Sequence, residues 1–233
     1  MLRRLLAFAV VVLVVLSSAV VVAGARTKAI GVRRPDPVLL VHGFRGSSQG
    51  WHSMIETLAA KGYRASEIAA IDYDSDHSNV DVAHDIARAA AALRASTGAA
   101  RIDVVSHSMG AISSRYYLER LGGAAHVDAW VSLAGVNEGT VWAYGCYVLT
   151  QCREMVPTSS VLGELNDDFH PAATTRYGAW WSPCDEAIIP RGNAELAGAF
   201  NVETPCLDHT DVRTDPHVLA QVVQFLAQPT IGA

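Results

Sequence analysis

The sequence has little charge and no excess of basic residues. Charged side chains make up 18% of its 233 residues, and 23 acidic residues outnumber 18 lysines and arginines, for a formal charge of −5. Such a chain offers no electrostatic attraction to a phosphate backbone, which argues against a nucleic-acid partner. No internal repeat, block of like charge or low-complexity tract follows residue 25. The composition therefore indicates no domain boundary after residue 25.

The N-terminus has the pattern of a secretory signal peptide. Arg3 and Arg4 precede an apolar run over residues 5–16, and residues 23–25 (Ala-Gly-Ala) supply the small side chains of a cleavage site. We expect cleavage there and secretion of the protein. The alternative is an uncleaved membrane anchor, because residues 5–25 are about long enough to span a bilayer.

Cleavage leaves 208 residues with 16 basic and 23 acidic side chains, a formal charge of −7. That length suits one domain with a sizeable core. We therefore expect a signal peptide over residues 1–25, a linker over 26–36 and one folded domain over 37–233, present as a monomer.

Cysteine is scarce, and no C-x-x-C pair is present, which weakens the case for a zinc site. All four cysteines follow the leader. An even number in an exported chain indicates two disulfides, with three possible pairings. We favour local pairing, Cys146–Cys152 and Cys184–Cys206.

Apolar runs alternate with segments of helical periodicity along the chain. This alternation predicts an α/β fold, with a mostly parallel sheet covered by helices on both faces. Ligands of such sheets bind beyond the carboxyl ends of the strands. We expect strands at 37–41, 63–71, 101–106, 127–133 and 177–181, and helices from 53 to about 62 and at 80–96, 109–121 and 216–227.

The stretch VVSHSMG, residues 104–110, joins an apolar strand to a helix. That context is typical of a nucleophile elbow, in which a strained turn presents a serine. Ser108 takes the serine position, and Ser106 replaces the first glycine of the usual G-x-S-x-G pattern. The alternatives are that Ser108 only caps the helix, or that Ser106 is the reactive serine, although its place at the strand end keeps it near the sheet.

A serine hydroxyl needs a histidine to accept its proton and an acid to orient that histidine. In proteins with such an elbow, the three residues follow one another along the chain in the order serine, acid, histidine. Asp185 follows the strand near 177–181, and His209 lies in the loop before the last helix. Glu186 is the alternative acid. His217 is the alternative base, although the helix N-terminus there depresses imidazole basicity.

An oxyanion intermediate needs two backbone N–H donors. One comes from Met109, directly after Ser108, and we expect the other from Phe44 in the glycine-rich loop after the first strand. The proposed bridge between Cys184 and Cys206 would then hold the acid loop against the histidine loop, unless it is only a stabilising link.

These motifs resemble those of secreted bacterial triacylglycerol lipases of the α/β-hydrolase fold, especially small ones without a large cap domain. The resemblance spans most of residues 37–226 and rests on V-H-G-F-R-G-S-S at 41–48, S-H-S-M-G at 106–110, S-L-A-G-V-N at 132–137, C-D-E-A-I-I-P at 184–190 and D-H-T-D at 208–211.

The resemblance implies a serine hydrolase acting on carboxylic esters, with a lipid or other ester as substrate, in some cases at a lipid–water interface. It implies Ser108 as nucleophile, Asp185 as acid, His209 as base, and Phe44 with Met109 as oxyanion donors. Larger lipases of this type bind calcium near the histidine loop, where this chain has Asp208, Asp211 and Asp215, but we expect no metal and no cofactor. Residues 137–157 match least well; they form an acyl groove, a mobile flap, or buried core around a small disulfide.

Two other functions remain open at this point. An acyltransferase or thioesterase would keep the three catalytic residues and change the acceptor or the substrate. A non-catalytic α/β binding module is disfavoured by the presence of Ser108, Asp185 and His209 together.

Overall fold

The computed structural model describes residues 35–167 and 169–229. The expected signal peptide at 1–25, the alternative anchor at 5–25 and most of the linker at 26–36 lie outside the described residues. Within them, none of the helices combines the length and the hydrophobicity that a membrane crossing requires.

The described residues form one sheet of six parallel strands, in the order β2-β1-β3-β4-β5-β6. Together with the helices around it, this confirms the predicted α/β fold. The strands are β1 Val38–Val41, β2 Ile68–Ile71, β3 Ile102–His107, β4 Val127–Leu133, β5 Arg176–Trp181 and β6 Phe200–Glu203.

Helices cover both faces of the sheet, because the strand side chains alternate between two apolar cores. Val38 and Leu40 of β1 belong to the core that includes the first and last helices, whereas Leu39 and Val41 belong to the core under the second and third. The helices are α1 His52–Ala60, α2 Asn79–Thr97, α3 Gly110–Arg120, α4 Thr150–Met155, α5 Ser160–Asn166 and α6 Pro216–Leu226.

The register brings the carboxyl ends of the central strands to one edge. Val41 of β1 pairs with Ser106 of β3, which pairs with Ser132 of β4, which in turn pairs with Ala179 of β5. The loops that follow β1, β3 and β5 therefore start close together, although they are far apart in sequence.

A third apolar cluster lies beyond this edge. It includes Met109, Val136, Met155 and Ile188, and residues of α4 and α5 pack in it, where the sequence analysis expected no helix. With six and seven residues, these helices are too short to show a clear apolar period.

Two strand predictions differ from the structure. The second strand begins at Ile68 rather than Tyr63, because Ala65–Glu67 forms a 3₁₀ turn. The edge strand β6 was not expected at all. Three of its four side chains are exposed and the fourth is only half-buried, so it lacks the apolar run that indicates a buried strand.

Candidate active site

Ser108 occupies a sharp turn between β3 and α3. Its φ of +56° lies in the left-handed region, which costs a residue of this type about 1–2 kcal/mol. Its N–H donates to the carbonyl of Leu133 at 3.1 Å, and its carbonyl accepts from the N–H groups of Ala111 and Val136 at 3.0 and 3.2 Å. These bonds hold the strained turn in place.

The small residues on either side of the turn have separate tasks. A Cβ at Gly110 would lie 2.4 Å from the carbonyl oxygen of His42, so only glycine lets α3 begin so close to the end of β1. Ser106 is fully buried, and its hydroxyl donates to the carbonyl of Val131 at 2.9 Å. The alternative serine is therefore bonded into the sheet.

Asp185, His209 and Ser108 form a continuous hydrogen-bonded relay. His209 Nδ1 lies 2.8 Å from Asp185 Oδ2, and His209 Nε2 lies 2.9 Å from Ser108 Oγ. Asp185 is 1% exposed, and its Oδ1 accepts from the N–H groups of Ala187 and Ile188, each at 2.8 Å. A buried, fixed carboxylate thus favours the His209 tautomer with the proton on Nδ1, which leaves Nε2 free to accept the proton of Ser108.

The two alternative residues lie elsewhere. The Glu186 carboxylate accepts from the backbone N–H of His209 at 2.8 Å, so it holds the histidine loop rather than the imidazole ring. His217 is exposed in the first turn of α6, where its N–H donates to the helix cap Asp215 at 2.9 Å.

His107 is a neighbour of the relay that the sequence analysis missed. Its Nε2 lies 3.1 Å from the carbonyl of His209, and the two imidazole rings are 4.8 Å apart. Because a carbonyl can only accept, His107 Nε2 is the donor. The pKa of His107 is held well below its usual value, mainly by burial and to a smaller extent by the nearby His209. The only available signal was its position beside Ser108, and a contact across 102 residues leaves no local pattern.

Among the described residues, the backbone N–H groups of Phe44 and Met109 donate to no acceptor. The loop that carries Phe44 approaches the nucleophile closely, because a Cβ at Gly43 would lie 2.7 Å from Ser108 Cβ. The arrangement can supply two donors to one oxygen atom beside Ser108.

His42 and Tyr73 support the loop that carries Phe44. Their rings stack at 3.9 Å with an angle of 2° between the planes. His42 Nδ1 donates to the Gly43 carbonyl at 2.8 Å, and the Tyr73 hydroxyl donates to the His42 carbonyl. His42 Nε2 accepts from the Tyr73 N–H at 3.4 Å, which requires a neutral ring. Burial lowers the pKa of His42 and so favours that form.

The cysteines pair as Cys146–Cys152 and Cys184–Cys206. The second bridge joins the loop of Asp185 to the loop of His209. Ser182 strengthens the same junction, since its hydroxyl donates to the Leu207 carbonyl at 2.6 Å and accepts from the Leu207 N–H at 2.9 Å.

A cavity of about 130 Å³ opens beside Ser108 and His209. Most of its remaining lining is apolar, so it suits a hydrocarbon group attached to an atom that reacts with Ser108. These residues are Phe44, Val136, Thr140, Trp142, Met155, Ala187 and Ile188.

The carboxylates closest to a metal-binding arrangement lie away from this cavity. Among the described residues, Asp36, Asp103 and Asp128 bring oxygens within 4.8 Å of one another, at the end of the sheet opposite Ser108. Arg176 donates to Asp128 at 2.7 Å. Asp215, by contrast, caps α6, and the acidic residues of the histidine loop form no such group in the described chain.

Comparison with known proteins identifies a family for the chain and solved structures of similar fold. A family model described as Lipase (class 2) matches residues 35–218. The mature form of the Bacillus licheniformis lipase BlEst2 superimposes with a TM-score of 0.72 at 22% identity, covering 84% of this chain and 93% of that one.

Two further structures share the fold at lower identity. Aspergillus fumigatus lipase B has a TM-score of 0.71 at 16% identity, over 88% of this chain and 56% of its own. A structure from a study of carboxylesterases of the thaumarchaeon Nitrososphaera gargenis has a TM-score of 0.55 at 16% identity, over 83% of this chain and 90% of its own.

Proposed function

This chain belongs to the class 2 lipase family, and from that premise we propose a secreted serine hydrolase that cleaves triacylglycerols and related esters. The family makes it a carboxylic ester hydrolase of the lipase and esterase type. The observation that carries the finer proposal is the relay from Ser108 through His209 to Asp185, with contacts of 2.9 and 2.8 Å. Two disulfides in the described domain support export to an oxidising compartment.

In the first half of the reaction, Ser108 Oγ attacks the carbonyl carbon of the ester. Its proton moves to His209 Nε2, and the carbonyl π-electrons move onto the oxygen. Asp185 stabilises the resulting imidazolium through Nδ1–H. The tetrahedral centre then collapses, the C–O bond to the alcohol breaks, and the leaving oxygen takes the proton from His209. The product is an acyl-enzyme at Ser108.

The negative oxygen of the tetrahedral centre is bound by the N–H groups of Phe44 and Met109. Both donors are fixed before substrate arrives, Met109 by the start of α3 and Phe44 by the His42–Tyr73 stack. Preorganised donors of this kind need no rearrangement during the reaction, and each lowers the barrier by about 3–4 kcal/mol.

Water completes the cycle. His209 removes a proton from a water molecule, whose oxygen attacks the acyl carbon, and the second tetrahedral centre releases a carboxylic acid as Ser108 recovers its proton. Free enzyme and one fatty acid result.

The surface next to the cavity supports action on lipid at a water interface. Large apolar side chains are exposed there, and tryptophan and tyrosine favour the boundary between water and lipid. They are Val141, Trp142, Tyr144, Tyr147, Val148 and Ile189.

Replacing Ser108 with alanine tests the proposal, with Ser106→Ala as the matched control. Ser108→Ala should lower kcat/KM for p-nitrophenyl butanoate by about 10⁴-fold or more and abolish labelling by a fluorophosphonate. Ser106→Ala should keep both, because its hydroxyl bonds only to the sheet. Loss of labelling in the Ser106 variant with retention in the Ser108 variant would overturn the assignment, and an unreactive parent protein would reject the catalytic function.

A further inference from the structure

The cavity beside Ser108 has one wall made by a residue whose side chain also reaches solvent. Trp142 lines the cavity and is 47% exposed. Its ring meets the ring of Phe44 edge-to-face, with 6.3 Å between centroids. Since Phe44 lines the same cavity, the two aromatic rings form adjoining parts of its wall.

The backbone of Trp142 is anchored to the loop that carries Asp185. Its N–H donates to Thr140 Oγ1 at 3.2 Å, and Thr140 Oγ1 donates to the Ala187 carbonyl at 2.6 Å. The N–H of Val141 donates to the Ile189 carbonyl at 2.9 Å. The segment that follows is closed by the Cys146–Cys152 disulfide over six residues. The backbone at Trp142 is therefore held in place beside the loop of Asp185, and this anchoring positions the ring at the cavity.

The size of the cavity limits what this wall can enclose. A cavity of about 150 Å³ holds a benzene molecule, which has six carbon atoms. The 130 Å³ beside Ser108 is slightly smaller, so it holds an acyl chain of about four to six carbons. Sites for larger organic ligands measure roughly 300–1,000 Å³.

We propose that Trp142 sets the acyl-chain length of the reaction by closing the cavity after about six carbons, so that short-chain esters are the preferred substrates. This inference rests on the proposed function and specifies its substrate class. A longer chain must leave the cavity past Trp142 and Phe44 and lie on the exposed surface, where it loses most of its apolar contact.

Exposure alone would also suit a residue that only contacts a lipid surface. The two roles differ with dissolved substrates. A wall residue changes the relative rates of short and long monomeric esters, whereas a surface contact changes only the rate on emulsified lipid. Tyr147 provides the matched control, because it is 48% exposed in the same segment but does not line the cavity.

The experiment measures kcat/KM for p-nitrophenyl esters of two to ten carbons, below the concentrations at which they form micelles. The parent protein should be fastest with four to six carbons. Trp142→Ala should raise the ratio of decanoate to butanoate by at least about tenfold, since each methylene that gains a pocket is worth about tenfold or more. Trp142→Phe should retain most of the parent profile, and Tyr147→Ala all of it.

Three results would overturn the proposal. The parent could prefer decanoate to butanoate, which decides the matter even if no variant folds. Trp142→Ala could leave the ratio unchanged, or Tyr147→Ala could shift it equally. Fluorophosphonate labelling separates these failures from failure of the proposed function. If the parent is labelled at Ser108 but prefers long chains, only the proposed role of Trp142 is rejected. If the parent is neither labelled nor active, the proposed hydrolase function is rejected.

Discussion

Replacing Asp185 with asparagine should test the relay most sharply, because the structure dictates how the new side chain would sit. Asp185 Oδ1 accepts from two backbone N–H groups, of Ala187 and Ile188, so the amide oxygen of asparagine should keep that side. Its NH₂ group then takes the place of Oδ2, 2.8 Å from His209 Nδ1. An NH₂ group can only donate, so Nδ1 must accept and the ring proton moves to Nε2.

A protonated Nε2 cannot take the proton of Ser108. We therefore expect Asp185→Asn to lower kcat by about 10⁴-fold, which corresponds to about 5 kcal/mol in the barrier, without unfolding the protein. The assay is hydrolysis of p-nitrophenyl butanoate, with circular dichroism as a check on folding.

Glu186→Gln is the matched control for Asp185→Asn. Its amide oxygen can still accept from the His209 N–H, which the carboxylate does at 2.8 Å, so activity should fall by less than about tenfold. The reasoning fails if Glu186→Gln is the more damaging change, or if Asp185→Asn keeps more than a tenth of the parent activity.

Three further expectations concern the surroundings of the relay. His209→Ala should abolish hydrolysis while His217→Ala, in an exposed helix turn, keeps most of it; a folded but inactive His217 variant would transfer the role of the base. Replacing Cys184 and Cys206 by alanine removes a link across 22 residues, so the free energy of unfolding should fall by about 3 kcal/mol. Activity should then be lost below the melting temperature of the sheet, because the acid and histidine loops loosen first; loss only at global melting would assign the bridge to the fold. Because burial holds the pKa of His107 well below its usual value, the unfolded chain binds a proton below pH 6.5 that the folded chain does not. As pH falls from about 6.5, the free energy of unfolding of the parent should therefore decrease by about 1.4 kcal/mol per pH unit relative to that of His107→Gln. Urea titrations at several pH values measure this, and the same pH dependence in both proteins would contradict it.

Strands with continuous apolar runs could be predicted from the sequence, and the others could not. Val38–Val41 and Val127–Leu133 are buried on both faces, and the sequence analysis placed both within one residue. Residues Phe200–Glu203 are mostly exposed, and their two apolar contacts, of Phe200 with Trp180 and of Val202 with the core, form no continuous apolar run. Such an edge strand has no side-chain signature.

The candidate site divides in the same way. Ser108 is marked by a local pattern, an apolar strand followed by small residues and a helix. Asp185 and His209 carry no such pattern, and they were chosen by chain order and by their place in loops after strands. The structure brings the three together. Two supporting contacts, of His107 with His209 and of His42 with Tyr73, join residues that are distant in sequence. The periodicity of a single sequence carries no information about such contacts.

The segment that matched the family motifs least is also the one that shapes the cavity. Residues 137–157 contribute Thr140, Trp142 and Met155 to its lining, whereas the reacting groups come from loops at the ends of β3 and β5 and before α6. Thr140 joins the two parts, since its hydroxyl bonds to both Ala187 and Ile189 beside the acid. A change confined to the Trp142 side chain can alter the fit of the acyl chain without moving Asp185, because it is the backbone N–H of Trp142 that bonds to Thr140. The same attachment makes Thr140 the position where a change in the wall would reach the chemistry, because loss of its two hydrogen bonds would free the loop on which the carboxylate is held.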